Sequence, residues 1–183
     1  MTRPELLGRH VVLRETRRED VVTLRAQLLT PEVARWWGPP WPQFPFEDDE
    51  HHTPFTIFAR DGEIAGLIQS YEEPEPAFRH ATIDLFVGPA FQRRGVGTDA
   101  IRTLVRHLVD DRGHHRITID PAAANAVAVR CYAALGFRPV GTLRAYWRDP
   151  AGVWRDGLLM ELIVTPPGGA PGVPGDDPPS VLG

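Results

Sequence analysis

The segment 92–97, QRRGVG, constrains the fold of this chain more than any other part. Two glycines, Gly95 and Gly97, precede a run whose apolar residues fall on one helical face: Ala100, Ile101, Leu104, Val105, Leu108 and Val109. Glycine lets the backbone approach a ligand closely, and the first N–H groups of a helix favour negative charge. Because two arginines stand directly before the glycines, we expect a phosphate group to bind at Gly95–Thr98.

Strand and turn signals precede this motif. The β-branched segment 6–14 predicts a strand, and TRRE at 16–19 has the form of a capping box that begins a helix ending at Pro31. Segment 36–52 is rich in Trp, Pro and acidic residues without periodicity, which predicts a loop or a broken helix. Residues 61–62, Asp-Gly, join two β-rich runs and predict a hairpin, and HATIDLFVG adds a third strand.

Further elements follow the motif. The helix after the glycines stops at Gly113, RITID predicts a short strand closed by Pro121, and 125–135 predicts another helix before two final strands. The order β-α-loop-βββ-α-β-α-ββ predicts an α+β fold: a mixed, mostly antiparallel sheet of about seven strands with helices on both faces and one parallel step. Residues 1–164 form the predicted domain, and the Pro/Gly-rich segment 165–183 is predicted to be a disordered tail.

Residues that are missing from the composition exclude several enzyme classes. All 20 basic residues are arginine, so the lysine of a Walker phosphate loop or of a pyridoxal Schiff base is absent. Neither serine, Ser70 or Ser180, lies in a G-x-S-x-G setting, which argues against a serine hydrolase. The single cysteine, Cys131, excludes a disulfide framework and fits a reducing cytoplasm.

The charge and hydropathy of the chain argue against several kinds of binding partner. The formal net charge of -4 gives no footprint for nucleic acid or an anionic membrane. The N-terminus lacks the apolar run of a signal peptide, and no apolar stretch approaches the roughly 20 residues of a membrane span. The pair His51-His52 is too weak a signal for a metal site, so no metal is expected. We therefore expect a cytoplasmic protein that binds a small molecule.

A dinucleotide-binding fold is the main alternative for the glycines. GVGTDA matches G-x-G-x-x-A, and Asp120 lies 20 residues beyond Ala100, where such a fold places an acid for a ribose hydroxyl. The glycines of that fold directly follow a strand, however, whereas residues 89–94 separate them here. That fold also needs several parallel strands, and the predicted order offers one parallel step.

The order strand, Q-R-R-G-V-G, helix, strand, NAVAVRCYAALGF resembles the GNAT acyl-CoA transferases over residues 9–163. The resemblance implies the GNAT fold and acetyl-CoA as cofactor. It places the pyrophosphate on the backbone amides of 93–98 and the pantetheine arm between the strands that end near Val87 and Asp120. It also implies that Tyr132 protonates the departing thiolate. The implied cofactor contacts are Phe86, Val87, Gln92, Arg93, Arg94, Gly95, Val96, Gly97, Thr98, Asn125, Ala128 and Tyr132.

Acetyl transfer to an amine requires a base. An alkyl ammonium has a pKa near 10, so only about one in a thousand is neutral at pH 7. A carboxylate both binds the cation and accepts its proton. Asp84 and Asp120 are the candidates, since each stands in an otherwise apolar strand where a carboxylate is costly. We expect Asp84, with Tyr132, to be catalytic and keep Asp120 as the alternative base.

The fragments WWG, QSY, TIDLFVG and TIDPAAANAVAVRCYAALGF are similar to the aminoglycoside 6'-N-acetyltransferases. This resemblance implies a polycationic amine substrate, Asp84 as base and Asp120 as a ligand for drug ammonium groups. The expected substrate contacts combine acids with flat aromatic faces: Trp36, Trp37, Glu72, Glu73, Asp84 and Asp120, with Trp41 and Glu75 nearby. The 72–78 loop is shorter than in those enzymes, and the region before Val153 differs, so the drug spectrum stays open.

Two other functions remain open from the sequence. A protein N-terminal acetyltransferase of the ribosomal-protein type would share every cofactor residue and bind a peptide in the same cleft. A non-catalytic acyl-CoA-binding regulator is the second, although Asp84 and Tyr132 speak against it. A monomer and a homodimer are equally compatible with the sequence.

Overall fold

The computed structural model describes residues 5–164, which form one eight-stranded sheet and four α-helices. The strands are β1 Leu6–Leu7, β2 Val11–Glu15, β3 His52–Ala59, β4 Ile64–Glu72, β5 Ala81–Val87, β6 Arg116–Ile119, β7 Arg138–Arg148 and β8 Trp154–Ile163. The helices are α1 Val21–Leu28, α2 Pro31–Trp37, α3 Val96–Arg106 and α4 Ala126–Ala134, and a π-helical turn at His107–Asp111 extends α3. The predicted tail, 165–183, lies outside the described residues.

The sheet has the order β1-β2-β3-β4-β5-β6-β8-β7. Every neighbouring pair is antiparallel except β5 and β6, so the predicted mixed, mostly antiparallel α+β fold with one parallel step is confirmed. The count exceeds the expected seven because Leu6–Leu7 forms a separate strand of 2 residues. The hairpin at Asp61-Gly62 is also present, with Gly62 at a φ of 84°.

Two apolar cores cover the two faces of the sheet. The larger core packs α3, with its Ile101, and α4 against alternate residues of the central strands, among them Ile83 and Ile117. The smaller core contains Leu24 and Leu28 of α1 and is closed by Phe86 with Trp37 and Phe44: the full buried set is Leu24, Leu28, Val33, Phe44, Leu67 and Phe86. Successive strand residues point to opposite faces, so β5 carries its Ile83 into one core and its Phe86 into the other.

The start of α1 differs from the predicted capping box at 16–19. A carboxylate one residue later carries the contacts, because Asp20 accepts the Arg17 N–H at 2.9 Å and the Arg14 guanidinium at 2.9 Å. Pro31 does more than end α1, since it occupies the first turn of α2. The predicted irregular segment therefore begins inside a helix, whose last two residues are Trp36 and Trp37.

A buried acid fixes the helix that follows the glycines. Asp99 lies in the first turn of α3 and accepts the backbone N–H groups of His10, at 2.6 Å, and Val11, at 3.1 Å. An anion in the first turn also complements the positive end of the helix dipole. This contact ties the beginning of α3 to β2 and holds the glycine turn in place at the end of β5.

Candidate active site

The turn before α3 exposes backbone donors. Arg93 has a φ of 56° and Gly95, the N-cap residue, a φ of 78°, so two left-handed residues bracket Arg94. Such alternation turns successive N–H groups into a concave anion site. No side-chain hydrogen bond caps α3 at Gly95, which leaves the first N–H groups of this helix for a ligand.

Gly97 matters for its small size, since its backbone does not adopt a positive φ. A Cβ at this position would lie 3.3 Å from Val87 Cγ2, which shows how closely the helix start approaches the end of β5. A side chain at Gly97 would therefore fill the cradle between α3 and β5.

The single parallel pair opens a gap in the sheet. β5 and β6 pair through Ala81 and Thr82 and then diverge. Gly88 donates its N–H to the Ala65 carbonyl at 2.8 Å, and by the alternation of an antiparallel ladder the N–H of Val87 is directed away from β4, into this gap. The gap therefore offers the Val87 N–H as a donor to an extended ligand lying beside β5.

A groove of about 600 Å³ runs from the glycine turn along this gap. It brings together eight of the predicted cofactor residues: Phe86, Val87, Gln92, Arg93, Gly97, Asn125, Ala128 and Tyr132. The other four, Arg94, Gly95, Val96 and Thr98, complete the turn without lining the groove, and the Arg94 guanidinium instead contacts the Ala90 carbonyl at 3.2 Å. The cradle, the nest of N–H groups and the groove fit an extended ligand that ends in phosphates.

A second cavity, of about 400 Å³, adjoins the groove. The two share the walls formed by Trp36, Trp37, Leu85, Asn125, Ala128 and Tyr132. Three carboxylates line this second cavity, those of Glu47, Asp84 and Asp120, together with Trp41. A donor held in the groove and a cationic acceptor held among the carboxylates would therefore meet at Tyr132.

The two aspartates titrate unusually. Burial, followed by the charge of the nearby Asp120, raises the pKa of Asp84 to about 7. The backbone N–H of Leu85, which donates to the Asp84 carboxylate at 2.9 Å, acts in the opposite direction and lowers it. Burial also raises the pKa of Asp120, while a hydrogen bond from Tyr146 lowers it. A carboxylate with a pKa near 7 is a suitable general base at neutral pH.

Tyr132 lies where the groove and the second cavity meet. Its side chain is 8% exposed and lines both cavities. Burial and then the charge of Asp84 raise the pKa of this phenol, so the hydroxyl keeps its proton. The neighbouring Cys131 also faces the groove, where its Sγ lies 3.4 Å from Thr98 Oγ1.

The family model for the Acetyltransferase (GNAT) family matches residues 22–137, which is more than half of the chain. This chain is a member of the GNAT acetyltransferase family. Members use acetyl-CoA, so the enzyme is an N-acetyltransferase with acetyl-CoA as its cofactor. The groove, with backbone donors at one end, has a shape that suits an extended cofactor of this kind.

Relatives of this acetyltransferase act on different amines. It is 31% identical over 156 residues to the aminoglycoside N(6')-acetyltransferase type 1 of Klebsiella pneumoniae, covering 73% of this chain and 76% of that one. It is 34% identical over 85 residues to the ribosomal protein bS18-alanine N-acetyltransferase of Salmonella typhimurium, covering 45% and 54%. A solved aminoglycoside acetyltransferase, AAC(6')-Ib in complex with coenzyme A, superposes with a TM-score of 0.66 at 28% identity, covering 84% and 94%.

Some predicted substrate residues lie elsewhere in this acetyltransferase. Glu72 was expected in the cavity, but in β4 it points to the opposite face from Tyr71, where it pairs with Arg112 at 3.0 Å and His114 at 2.7 Å. The alternation of the pleat therefore places Glu72 outside the second cavity. Glu73 lies in the following loop outside the cavity, and its carboxylate accepts the Glu75 N–H at 3.0 Å.

Other residues of the cavity were not predicted. Gln69 and Tyr71 lie on the same face of β4 as Asp84 does on β5, and Gln69 is the register partner of Asp84. The sequence signal for this was the alternation of strand residues along QSY, which puts Gln69 and Tyr71 on one face and Ser70 on the other. Glu47 reaches the cavity from the irregular segment 36–52, for which the sequence predicted only a loop or a broken helix, and accepts the Tyr71 hydroxyl at 2.9 Å. Tyr146 completes the wall from β7.

Two features of other kinds of binding site are absent from residues 5–164. No helix in this range is long and apolar enough to cross a membrane. The same residues contain no group of three or more His, Cys, Asp or Glu side chains arranged to hold a metal ion.

Proposed function

We propose that this acetyltransferase transfers the acetyl group of acetyl-CoA to the 6'-amino group of an aminoglycoside. The observation that carries the proposal is the second cavity: Glu47, Asp84 and Asp120 face one space that opens onto the acetyl-CoA groove. Similarity to the Klebsiella pneumoniae enzyme, at 31% identity over 156 residues, supports the same substrate class.

The chemistry of the cavity suits a polycation built from sugar rings. Three carboxylates can each hold an ammonium group, and the surfaces of Trp36, Trp37 and Trp41 can pack against the faces of pyranose rings. Tyr71 links two of the acids, since its hydroxyl donates to Glu47 at 2.9 Å and it lies two residues along β4 from Gln69, the register partner of Asp84. Burial, followed by Glu47 and Asp84, raises the pKa of its phenol. The acids are therefore spread along the cavity, as separated ammonium groups require.

The roles in catalysis follow from positions and protonation states. Acetyl-CoA supplies an acetyl group activated as a thioester. Asp120 holds an ammonium group of the acceptor, and Asp84 accepts the proton from the attacking amine. The N–H of Val87, directed into the gap, stabilises negative charge on the acyl oxygen. Tyr132 keeps its proton at neutral pH and gives it to the departing thiolate.

A peptide N-terminus is the second candidate acceptor, because the Salmonella typhimurium enzyme for ribosomal protein bS18 matches 45% of this chain. A peptide α-amine has a pKa of about 8 and needs less help from a base. A single N-terminal ammonium would also leave two of the three carboxylates without a cation. The acidic cavity therefore favours a polyamine-like acceptor over a peptide.

The test is acetyl-CoA-dependent thiol release with kanamycin, tobramycin, spermidine and an alanine-starting peptide, followed by NMR of the product to locate the acetyl group. We expect the aminoglycosides to give the highest kcat/KM and acetylation at the 6'-nitrogen. Glu47→Gln should raise KM for kanamycin, whereas Glu75→Gln, at an exposed residue outside the cavity, should leave it unchanged. Turnover of the peptide without turnover of aminoglycosides would overturn the proposal.

A further inference from the structure

An irregularity in the last hairpin shapes one wall of the amine cavity. In the ladder between β7 and β8, Leu143 faces Gly157 and Trp147 faces Arg155, so three residues of β7 stand opposite Asp156 alone. At the centre of this bulge Ala145 has a φ of 49°, and its N–H is held by the Asp156 carboxylate at 2.8 Å. Bulges redirect side chains, and a non-glycine residue at positive φ marks a position fixed by its surroundings.

The bulge directs Tyr146 across the neighbouring strand. A Cβ on Gly157 would lie 2.8 Å from Tyr146 Cδ1, so the ring rests against a backbone that has no side chain at that point. The same stretch of β8 also holds the segment after β6, since Ala123 donates to the Asp156 carbonyl at 2.9 Å and Leu158 to the Pro121 carbonyl at 2.9 Å. The ring and the Asp120 segment are thus fixed to one strand.

Tyr146 and Asp120 line the same cavity, and the Tyr146 hydroxyl is placed to donate to the Asp120 carboxylate and so to lower the pKa of that carboxyl. We propose that Tyr146 is a positioning residue that keeps Asp120 ionised and oriented toward the amine, and that the bulge and Gly157 exist to place it there. The proposal deepens the proposed function, and its kinetic part rests on it. The orientation of Asp120 by Tyr146 can be measured without any substrate.

The hydrogen bond separates the roles of the two aspartates. Donation by Tyr146 favours the ionised form of Asp120, and the charge on Asp120 in turn raises the pKa of Asp84 to about 7. Titratable or charged groups face this pair from every surrounding element: Glu47, Tyr71, Tyr132, Tyr146 and Arg148. Among these groups, Tyr146 is the one whose side chain lowers the pKa of Asp120, so a change at Tyr146 should be visible in the titration of Asp120.

Tyr146→Phe removes the hydroxyl and keeps the ring on Gly157. We expect ¹³C NMR of the aspartate carboxyl groups to show a higher pKa for Asp120 in this variant than in the native protein, because the donor that favours the ionised form is gone. Removing both protons from the pair then requires a higher pH, so the acid limb of kcat/KM for kanamycin should move upward, and KM at pH 7 should rise about threefold or more. An unchanged Asp120 pKa in a folded variant would refute the proposal.

Gly157→Ala tests the same contact with the hydroxyl still present, because the added methyl displaces the ring. We expect it to reproduce the titration shift of Tyr146→Phe, and the double variant to show no further shift. Gly141→Ala is the matched control on β7, since a Cβ there meets nothing within 4 Å, and it should titrate as the native protein does. A Gly157→Ala protein with a native Asp120 titration would contradict the role of the bulge. If the NMR shifts appear but no aminoglycoside is acetylated, the proposed function fails and the positioning role stands.

Discussion

Replacing Asp84 by asparagine should stabilise the folded protein at alkaline pH while it removes activity. Burial and the neighbouring Asp120 raise the pKa of Asp84 from 3.8 to about 7 in the folded state. A carboxyl with a raised pKa gives its full contribution to stability below about pH 4 and loses it as the pH rises to about 7. Above that pH, the native protein must hold an ionised carboxylate in a place that disfavours it.

The size of the effect follows from the two pKa values. Each pKa unit corresponds to about 1.4 kcal/mol, so the raised pKa of Asp84 destabilises the fold by roughly 4 kcal/mol at pH 8, where the folded carboxyl is ionised. The effect is less than half as large at pH 5, where the folded carboxyl is protonated and only the unfolded one is ionised. Asparagine has nearly the same shape and no charge. Asp84→Asn should therefore raise the free energy of unfolding by an amount that is larger at pH 8 than at pH 5.

Urea unfolding of both proteins at pH 5 and pH 8 measures this difference. Asp149→Asn is the control of opposite sign, because hydrogen bonds from Val153 and Arg155 lower the pKa of Asp149, and its loss should destabilise the protein at pH 8. A loss of stability in Asp84→Asn at pH 8, or an equal gain at both pH values, would refute the reasoning about the buried charge.

Three further predictions concern the two cavities. Gly97→Val should lower acetyl-CoA affinity at least tenfold, about 1.4 kcal/mol, because a side chain there fills the space between α3 and Val87. Calorimetry on the folded variant measures this affinity, and a native value would contradict the prediction. KM for kanamycin should rise with added salt more than KM for acetyl-CoA does, since salt screens exposed charges over about 8 Å at physiological ionic strength. If steady-state kinetics gave both KM values the same salt dependence, this would argue against binding of the drug by carboxylates. Tyr132→Phe should reduce kcat less than Asp84→Asn does, because a thiol with a pKa near 8.5 can leave as thiolate; a larger loss than in Asp84→Asn would make proton donation the dominant step.

Local rules were enough to predict the turn and the helix at the head of the groove. Gly95 and Gly97 announce a turn and a helix start by their own backbone properties, and the apolar period behind them defines α3 without knowledge of the rest of the chain. The capping residue of α1 shows the limit of the same rules, since Asp20 instead of the TRRE pattern at 16–19 carries the contacts. Glu19 and Asp20 could each cap the start of this helix, and the ion pair of Asp20 with Arg14 favours Asp20.

The amine side depended on strand register and on distant contacts. Glu72 and Tyr71 are adjacent in the sequence but lie on opposite faces, so composition alone placed the wrong acid in the cavity. Tyr146 reaches Asp120 only because β7 bulges opposite Asp156, and no local pattern encodes a bulge whose partner strand lies beyond a turn. Glu47 likewise enters the site through its contact with Tyr71 on another element.

The central claim, that Asp84 is the base for a substrate amine held near Asp120, is tested most directly by kcat/KM for kanamycin against pH in three proteins. These are the native enzyme, Asp84→Asn and Asp120→Asn. With a pKa of Asp84 near 7, the native profile should rise through about pH 7. Asp84→Asn should lower kcat/KM at neutral pH by roughly 10²–10⁴, the usual contribution of general acid–base catalysis, and the loss should shrink toward the pKa of the free amine. Near-native activity of Asp84→Asn at pH 7, with the activity lost in Asp120→Asn, would contradict the account and make Asp120 the base.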